Sequence, residues 1–404
     1  MIRDLITPPS CKDCGDGPIF HSLTYTTILL NELLDGVFGA PARGPARLAS
    51  GWVETYAAAL RWITPRLLDA GMRLGIAKRT REPDVDTQLL ALMIWNEAAK
   101  RGIVVEEFRL AGLPSNIFVA RYPHGKFIAF EGIPLPPQTV MRVGWMDDKA
   151  ILKEELAKLG FPVARGGAAR TLRGARKVFR ELTPPVIVKP YSGSASRHTT
   201  LHVQNEEELV RAFRIATQVA PRAVIEEELV GPVYRATVVD GVCVAVLRRD
   251  QPHVVGDGVS TVEQLVEQAN THPKRQGPYF HHMKLDESAE QELLWQGYTR
   301  ESVLAKGVRA TLHQKINWSV GGTTADVTDD VHGDNKALFE DATRVLGAAI
   351  SGIDFIIGDI SRSWKEQERC GILECNSMPF FDNHHLPFEG EPRNVAAAIW
   401  DMCE

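Results

Sequence analysis

An α+β chain of two or three domains is what this sequence predicts, and three observations lead there. At roughly 150 residues per domain, a length of 404 residues sets the domain number. Helical and strand-like segments alternate irregularly, which a doubly wound parallel sheet would not do. Two strands also flank the dipeptide Asp240-Gly241, the signature of an antiparallel hairpin. With 44% hydrophobic and 24% charged residues the chain can bury a core. The balance of 46 basic against 51 acidic residues, a net charge of −5, argues against a protein that coats nucleic acid or anionic membrane. No run of about 18 apolar residues predicts a membrane span. The opening MIRDLITPPSCKDCG lacks the basic and apolar parts of a signal peptide. Six cysteines are too few for a disulfide scaffold, so a reducing cytoplasm is expected.

Taken in order, Leu23–Leu34 and Val53–Leu74 carry apolar residues at helical spacing, separated by a Gly/Pro-rich turn region. A helix over Thr87–Arg101 is stopped by Gly102, and Ile103–Phe108 follows as a strand. Ile117–Tyr122 and Lys126–Phe130 predict two more strands, and the prolines 134, 136 and 137 mark a boundary. Asp148–Leu159 reads as a helix ended by Gly160-Phe161-Pro162, and Val186–Pro190 as a short buried strand. Glu206–Val219 presents Leu209, Ala212, Phe213 and Ala216 on one face, with Asn205 as its cap. Ala223–Glu228, Tyr234–Val239 and Val242–Leu247 are strands, Lys336–Ile350 a helix, and Ile353–Ile360 and Gly371–Cys375 strands about a polar loop.

Chemistry-bearing residues fall in these segments. Lys189 ends a buried strand and precedes a small, polar loop of the kind that covers phosphates. From this segment alone, a surface lysine in a serine-rich turn is the plainer reading. If the last two strands pair, Asp354 and Glu374 come close, with Asn376 two residues on along the same face. Two carboxylates and an amide oxygen form a hard-oxygen site suited to Mg²⁺ on nucleotide phosphates, ahead of a salt-bridged hairpin end. The adjacent pairs His281-His282 and His384-His385 would point to opposite faces and chelate poorly together. Cys11-Lys12-Asp13-Cys14 is a lone C-x-x-C; a zinc knuckle or redox pair is open, an incidental pair the plainer reading. The motifs GxSxG, HExxH and GxxxxGKS do not occur.

The order of further segments resembles the ATP-grasp carboxylate–amine ligases, within them the ligase region of cyanophycin synthetase and of bifunctional glutathione synthetase. Ala98 to Ile103 looks like the pre-grasp helix and strand, and Asp148-Lys149 with Leu156 to Val163 fits "DK, then LxxxGxPV". Val188-Lys189-Pro190, then Ile225 to Gly231, then Tyr234 to Val239 match the next three blocks. Arg249 with Pro252 to Gly258 is similar to "R-x-P-A-H-V-x-G-D-G". Asn317 to Thr323 resembles "N-L-S-T-G-G", and Glu374 to Pro379 looks like "E-V-N-A-x-P". Four positions depart from the pattern: Ser196 and His198 stand where the family's mobile loop carries glycines, Val233 where relatives place an acid, and Phe380 replaces a glycine.

The resemblance implies an ATP-grasp fold, two α+β subdomains gripping nucleotide, preceded by an N-terminal pre-grasp domain. The expected segments are 1–145 for the pre-grasp domain, 146–222 for the central lid and 223–404 for the C-terminal part. It implies ATP and Mg²⁺ as cofactors and an ADP-forming ligase that joins a carboxylate to an amine through an acyl phosphate. Lys149 and Lys189 would hold phosphates, and Glu226, Glu227, Glu228 and Leu229 would form the hinge that reads adenine. Asp354, Glu374 and Asn376 would hold Mg²⁺, with Asp359 the alternative ligand. Arg235 and Arg249 would steady the acyl phosphate. His253, Asn317, Ser319, Gly321, Gly322 and His384 would line the substrate region, a core role being open for both histidines. Substrates would be small molecules or peptides resembling amino acids, with neither nucleic acid nor membrane as partner; a homo-oligomer stays open. Phosphotransfer without amide formation, or a degenerate nucleotide-binding grasp, are the alternatives.

Overall fold

The computed structural model describes residues 11, 20–34, 71–75, 77–84, 87–110, 113–136, 149–191, 198–314, 316 and 318–404. Most of the expected helix over Val53–Leu74, together with Asn317 and Ser196, lies outside these. The chain forms two compact units. One is built on Asp148–Val230 with Glu368–Leu373 and the segment before Ala70, the other on Gly71–Asp147, Gly231–Gln367 and Glu374–Glu404.

In the first unit four antiparallel strands lie in the order Gly166–Ala169, Ala223–Glu227, Val186–Pro190 and Thr200–Val203. The helices Leu172–Arg180 and Glu206–Ala216 pack on this sheet through one apolar cluster that includes Ala175, Val186, Val188, Leu209, Phe213 and Ile225. Each helix begins on a side-chain cap: Thr171 accepts from the Gly174 N–H, and Asn205 from the Glu208 N–H, as the sequence predicts for Asn205. This sheet holds Lys189 and Glu226 on adjacent strands, with Ile187 paired to Glu226 and Lys189 to Val224.

The second unit contains a four-stranded antiparallel sheet in chain order, Ala77–Thr80, Val104–Leu110, Leu113–Arg121 and Phe127–Glu131. It also contains the strands Thr323–Asp326, Val242–Asp250, Val233–Val239 and Ile350–Ile356 of a five-stranded sheet, in that order, and residues Glu374–Asn376 of its last strand, Gly371–Asn376. The Val239/Val242 hairpin turns on Asp240 (φ 49°) and Gly241 (φ 76°), both positive as a type I′ turn requires. Just before the central strand, Gly231 has φ +125° and a Cβ there would lie 2.3 Å from the Ile357 carbonyl oxygen, so glycine is needed.

The two units group the chain otherwise than the expected segments 1–145, 146–222 and 223–404. Residues Gly71–Asp147 share a unit with the C-terminal part, and the boundary expected after 222 falls between Val230 and Gly231. The physical reason is one continuous core. Ile94, Trp95, Phe118 and Phe130 cluster with Val239, Ile350, Phe381 and Trp400, and the Trp400 indole N–H donates to the Ile94 carbonyl at 3.0 Å. Among the described residues, no helix is long and apolar enough to cross a membrane.

Candidate functional site

Each unit gathers its own charged cluster. In the first, Lys189 reaches Glu226 from the neighbouring strand, and Lys153, on the helix Lys149–Lys158, contacts the same carboxylate. Glu226 is only 3% exposed, so two ammonium groups and one buried acid form a compact ion cluster. Burial, and secondarily the charge on Lys189, push Lys153 down to about 7. Lys149 begins the same helix, but its side chain lies outside the described residues. The sequence reading missed Lys153. The available signal was its spacing: four residues beyond Lys149, on the same helix face.

The expected hinge begins on the strand that carries Glu226. The Glu227 and Glu228 N–H groups donate to the carbonyls of Arg165 and Pro185, and the Val230 N–H donates to Arg369. Among the described residues the Leu229 N–H makes no such donation, which leaves it available to a ligand. The side chains are engaged locally: Glu227 accepts from the Thr183 N–H at 2.9 Å, and Glu228 pairs with His202 at 3.0 Å.

In the second unit strand register sets the geometry. Asp354 lies directly opposite Arg235 on the adjacent strand, and the two form a two-pronged ion pair, Arg235 Nη2 donating to Asp354 Oδ2 at 2.9 Å. From the strand on the other side, Arg249 Nη1 donates to the same oxygen at 3.2 Å. Glu374 stands 3.7 Å from Arg235 Nη2, and the Asn376 amide donates to Glu374 at 3.1 Å. Burial lowers the Arg235 pKa but Asp354 more than offsets it, so this guanidinium stays charged. Arg249 is shifted downward, first by burial, with Asp354 opposing and the neighbouring Arg235 adding to the shift. Gly352 allows this packing: a Cβ there would lie 2.6 Å from Pro379 Cβ and 3.2 Å from Arg235 Nη1.

Hence Arg235, Arg249, Asp354, Glu374 and Asn376 come together, while other expected residues do not join them. Asp359 is exposed, and its carboxylate accepts from the Ser361 N–H and hydroxyl at 2.9 and 2.7 Å, holding a turn. His253 donates from Nδ1 to the Gln251 carbonyl at 2.8 Å on a separate two-stranded sheet. Ser319 is exposed on a short 3-10 turn. Gly321 and Gly322 are buried, and Gly321 has a packing reason to be glycine. It has φ +94°, with Met283 Cγ 2.5 Å from where its Cβ would be, and its carbonyl accepts from Arg275 at 2.9 Å. The sequence reading missed Arg275, which also donates to the His281 carbonyl at 2.8 Å and so anchors this segment.

For His384, where the sequence leaves a substrate contact and a core role both open, the surroundings are those of the core. It is fully buried, 0% exposed, with Nε2 2.8 Å from the Thr237 hydroxyl. Burial first, then Arg235 and His385, push it down to about 3. A histidine held neutral in the fold but titrating at 6.5 when unfolded stabilises the protein above that value. This stability is lost progressively as pH falls from 6.5 toward about 3. Replacing His384 by asparagine should therefore flatten the fall in melting temperature between pH 6.5 and 4; an unchanged slope would refute the role.

A hard-oxygen cation fits the donor set of Glu374, Asn376 and Asp354 in chemistry, but two arginines already balance the two acids. A divalent ion here would therefore be expected to arrive with negatively charged ligands of its own.

No protein-family model matches the chain. It is 37% identical over 259 residues to a cyanophycin synthetase of Nostoc sp., covering 63% of this chain and 29% of that protein. It is 32% identical over 271 residues to the glutathione biosynthesis bifunctional protein GshAB of Pasteurella multocida, 64% of this chain and 35% of that one. The chain thus spans about a third of the length of the curated relatives it matches. Among solved structures, a bifunctional glutathione synthetase from Pasteurella multocida superposes with a TM-score of 0.58 at 26% identity, over 78% of this chain and 43% of that one.

Proposed function

From the ATP-grasp fold shared with these ligases, we propose that the protein is an ADP-forming carboxylate–amine ligase acting on amino-acid-like substrates. The observation that carries this reading is the meeting of Arg235 and Arg249 with Asp354, Glu374 and Asn376 on four neighbouring strands. Lys153 and Lys189 bind ATP phosphates, exchanging the Glu226 carboxylate for phosphoryl oxygens. The Leu229 N–H is the hinge donor for adenine. Asp354, Glu374 and Asn376 hold Mg²⁺, which supplies positive charge against the phosphates when bound. The donor carboxylate oxygen attacks the γ-phosphorus and ADP leaves. The amine nitrogen then attacks the acyl carbon, phosphate departs with the donor's former oxygen, and the amine gives up a proton. Arg235 and Arg249 orient the acyl phosphate by paired N–H groups.

The test is an ADP-release screen over pairs of carboxylate donors and amine acceptors, read together with the mass of the product. The expected product is donor plus acceptor less one water, formed only when both are present. In Lys189→Ala the signal should fall to background. A product bearing phosphate, or ATP bound without turnover across the whole panel, would overturn the reading.

A further inference from the structure

Outside this machinery, the first unit holds a second cluster. Cys11, His21 at the start of the helix His21–Leu34, and His198 in the turn before the strand Thr200–Val203 bring one sulfur and two imidazoles together. Their ligand atoms all lie within 4.8 Å of one another. Among the described residues this is the only group of three or more such side chains with that spacing. We propose that Cys11, His21 and His198 form a zinc site that ties the N-terminal segment to the base of the loop following Lys189.

Several observations converge on a metal. The Cys11 sulfur is 3.9 Å from His198 Nε2, and sulfur and nitrogen around one tetrahedral zinc stand about 3.5 Å apart, so only a small contraction is required. His198 Nδ1 lies 3.1 Å from the Ile215 carbonyl, an acceptor only, so Nδ1 carries the proton and donates. That leaves Nε2, on the Cys11 side, as the ring's lone-pair nitrogen. An imidazole fixed through its far nitrogen by a backbone carbonyl is the usual arrangement of a zinc-bound histidine. The His21 ring meets the His198 ring edge-on, with centroids 4.6 Å apart.

His198 itself is unusual in two ways. It is 1% exposed, and its backbone is left-handed with φ 53°, a conformation that glycine adopts freely and histidine at some cost. It also stands where the resembled ligases carry glycine. A buried, strained histidine in a glycine position needs its side chain to return something, and metal ligation does so. A thiolate with two imidazoles is the soft-and-borderline donor set that zinc favours, unlike the oxygen set around Glu374. Cys11 also opens the C-x-x-C sequence Cys11-Lys12-Asp13-Cys14; Cys14 lies outside the described residues, and the three-ligand site stands without it. On binding, the Cys11 thiol passes its proton to solvent and the sulfur bonds to zinc as thiolate.

The experiment uses the full chain, stripped with chelator and reloaded with Zn²⁺ or with Co²⁺ as the spectroscopic probe. One zinc per chain and a thiolate-to-cobalt charge-transfer band are expected in the wild type. The band should vanish in Cys11→Ser. Zinc affinity should fall at least about 100-fold in His198→Asn, since losing a ligand costs more than outer-shell changes do. Lys189→Ala should keep the zinc, which separates this site from the ligase reading. A wild-type chain that retains no zinc and shows no cobalt band would overturn the proposal without recourse to any variant. Zinc held equally by Cys11→Ser and His198→Asn would overturn it as well.

Discussion

Glu374→Ala is expected to cut amine-dependent ADP release by about 10³-fold while the melting temperature stays near the wild-type value. The Glu374 side chain is 25% exposed, and Arg235 Nη2 is 3.7 Å from it, beyond hydrogen-bond length. Its removal strips an oxygen donor from the proposed Mg²⁺ site and leaves Arg235 its two-pronged pair with Asp354. Asp354→Ala should behave differently although it belongs to the same cluster. Asp354 is 8% exposed, faces Arg235 at 9%, and accepts from Arg249 as well. Without it two guanidiniums confront each other in a part-buried site, at a cost of about 3–5 kcal/mol to folding. Thermal unfolding and ADP release measured on both variants separate the two roles. Glu374→Gln, which keeps the shape, should raise the Mg²⁺ concentration needed for half-maximal turnover. Wild-type turnover in Glu374→Ala would remove the residue from the mechanism.

The parts of this site that could be read in the sequence are those set by local rules. The i,i+2 spacing of Glu374 and Asn376 puts both on one strand face, Asp240-Gly241 dictates its own turn, and Asn205 caps the helix it precedes. What could not be read depends on register and packing between distant segments. Nothing in the neighbourhood of Arg235 says that Asp354, 119 positions away, will be its cross-strand partner. His384 and Gly321 sit in motif-like stretches, yet one is sealed in the core and the other is glycine because Met283 leaves no room for a Cβ. The two-unit division was equally hidden. It follows from the Trp400 helix packing on Ile94, a contact across 306 positions. Segment order along a chain carries no record of such closure.

Lys149 and Lys153, in the first half of the Lys149–Lys158 helix, show the same limit, and they yield a sharp test. A helical spacing of four puts Lys149 and Lys153 on one face, so the pattern alone leaves the choice between them open. The ion cluster favours Lys153, which shares the Glu226 carboxylate with Lys189. Lys153→Met is expected to lower kcat/KM for ATP by about 10²–10³-fold, the loss typical of one charged donor at a reacting phosphate. Lys149→Met should cost less than about 10-fold, since Lys153 and Lys189 are the ammonium pair gathered at Glu226. Acidity gives a second readout. Burial and Lys189 bring Lys153 down to about 7, so its ammonium form, the one that attracts phosphate, is lost as pH rises through that value. ATP affinity of the wild type should therefore weaken above neutral pH, and Lys153→Met should bind weakly at every pH with that dependence gone. Bound phosphate favours the charged lysine, so saturating ATP should shift the weakening to higher pH. Equal losses at both lysines, or a loss confined to Lys149, would mean that Lys153 serves only to neutralise Glu226.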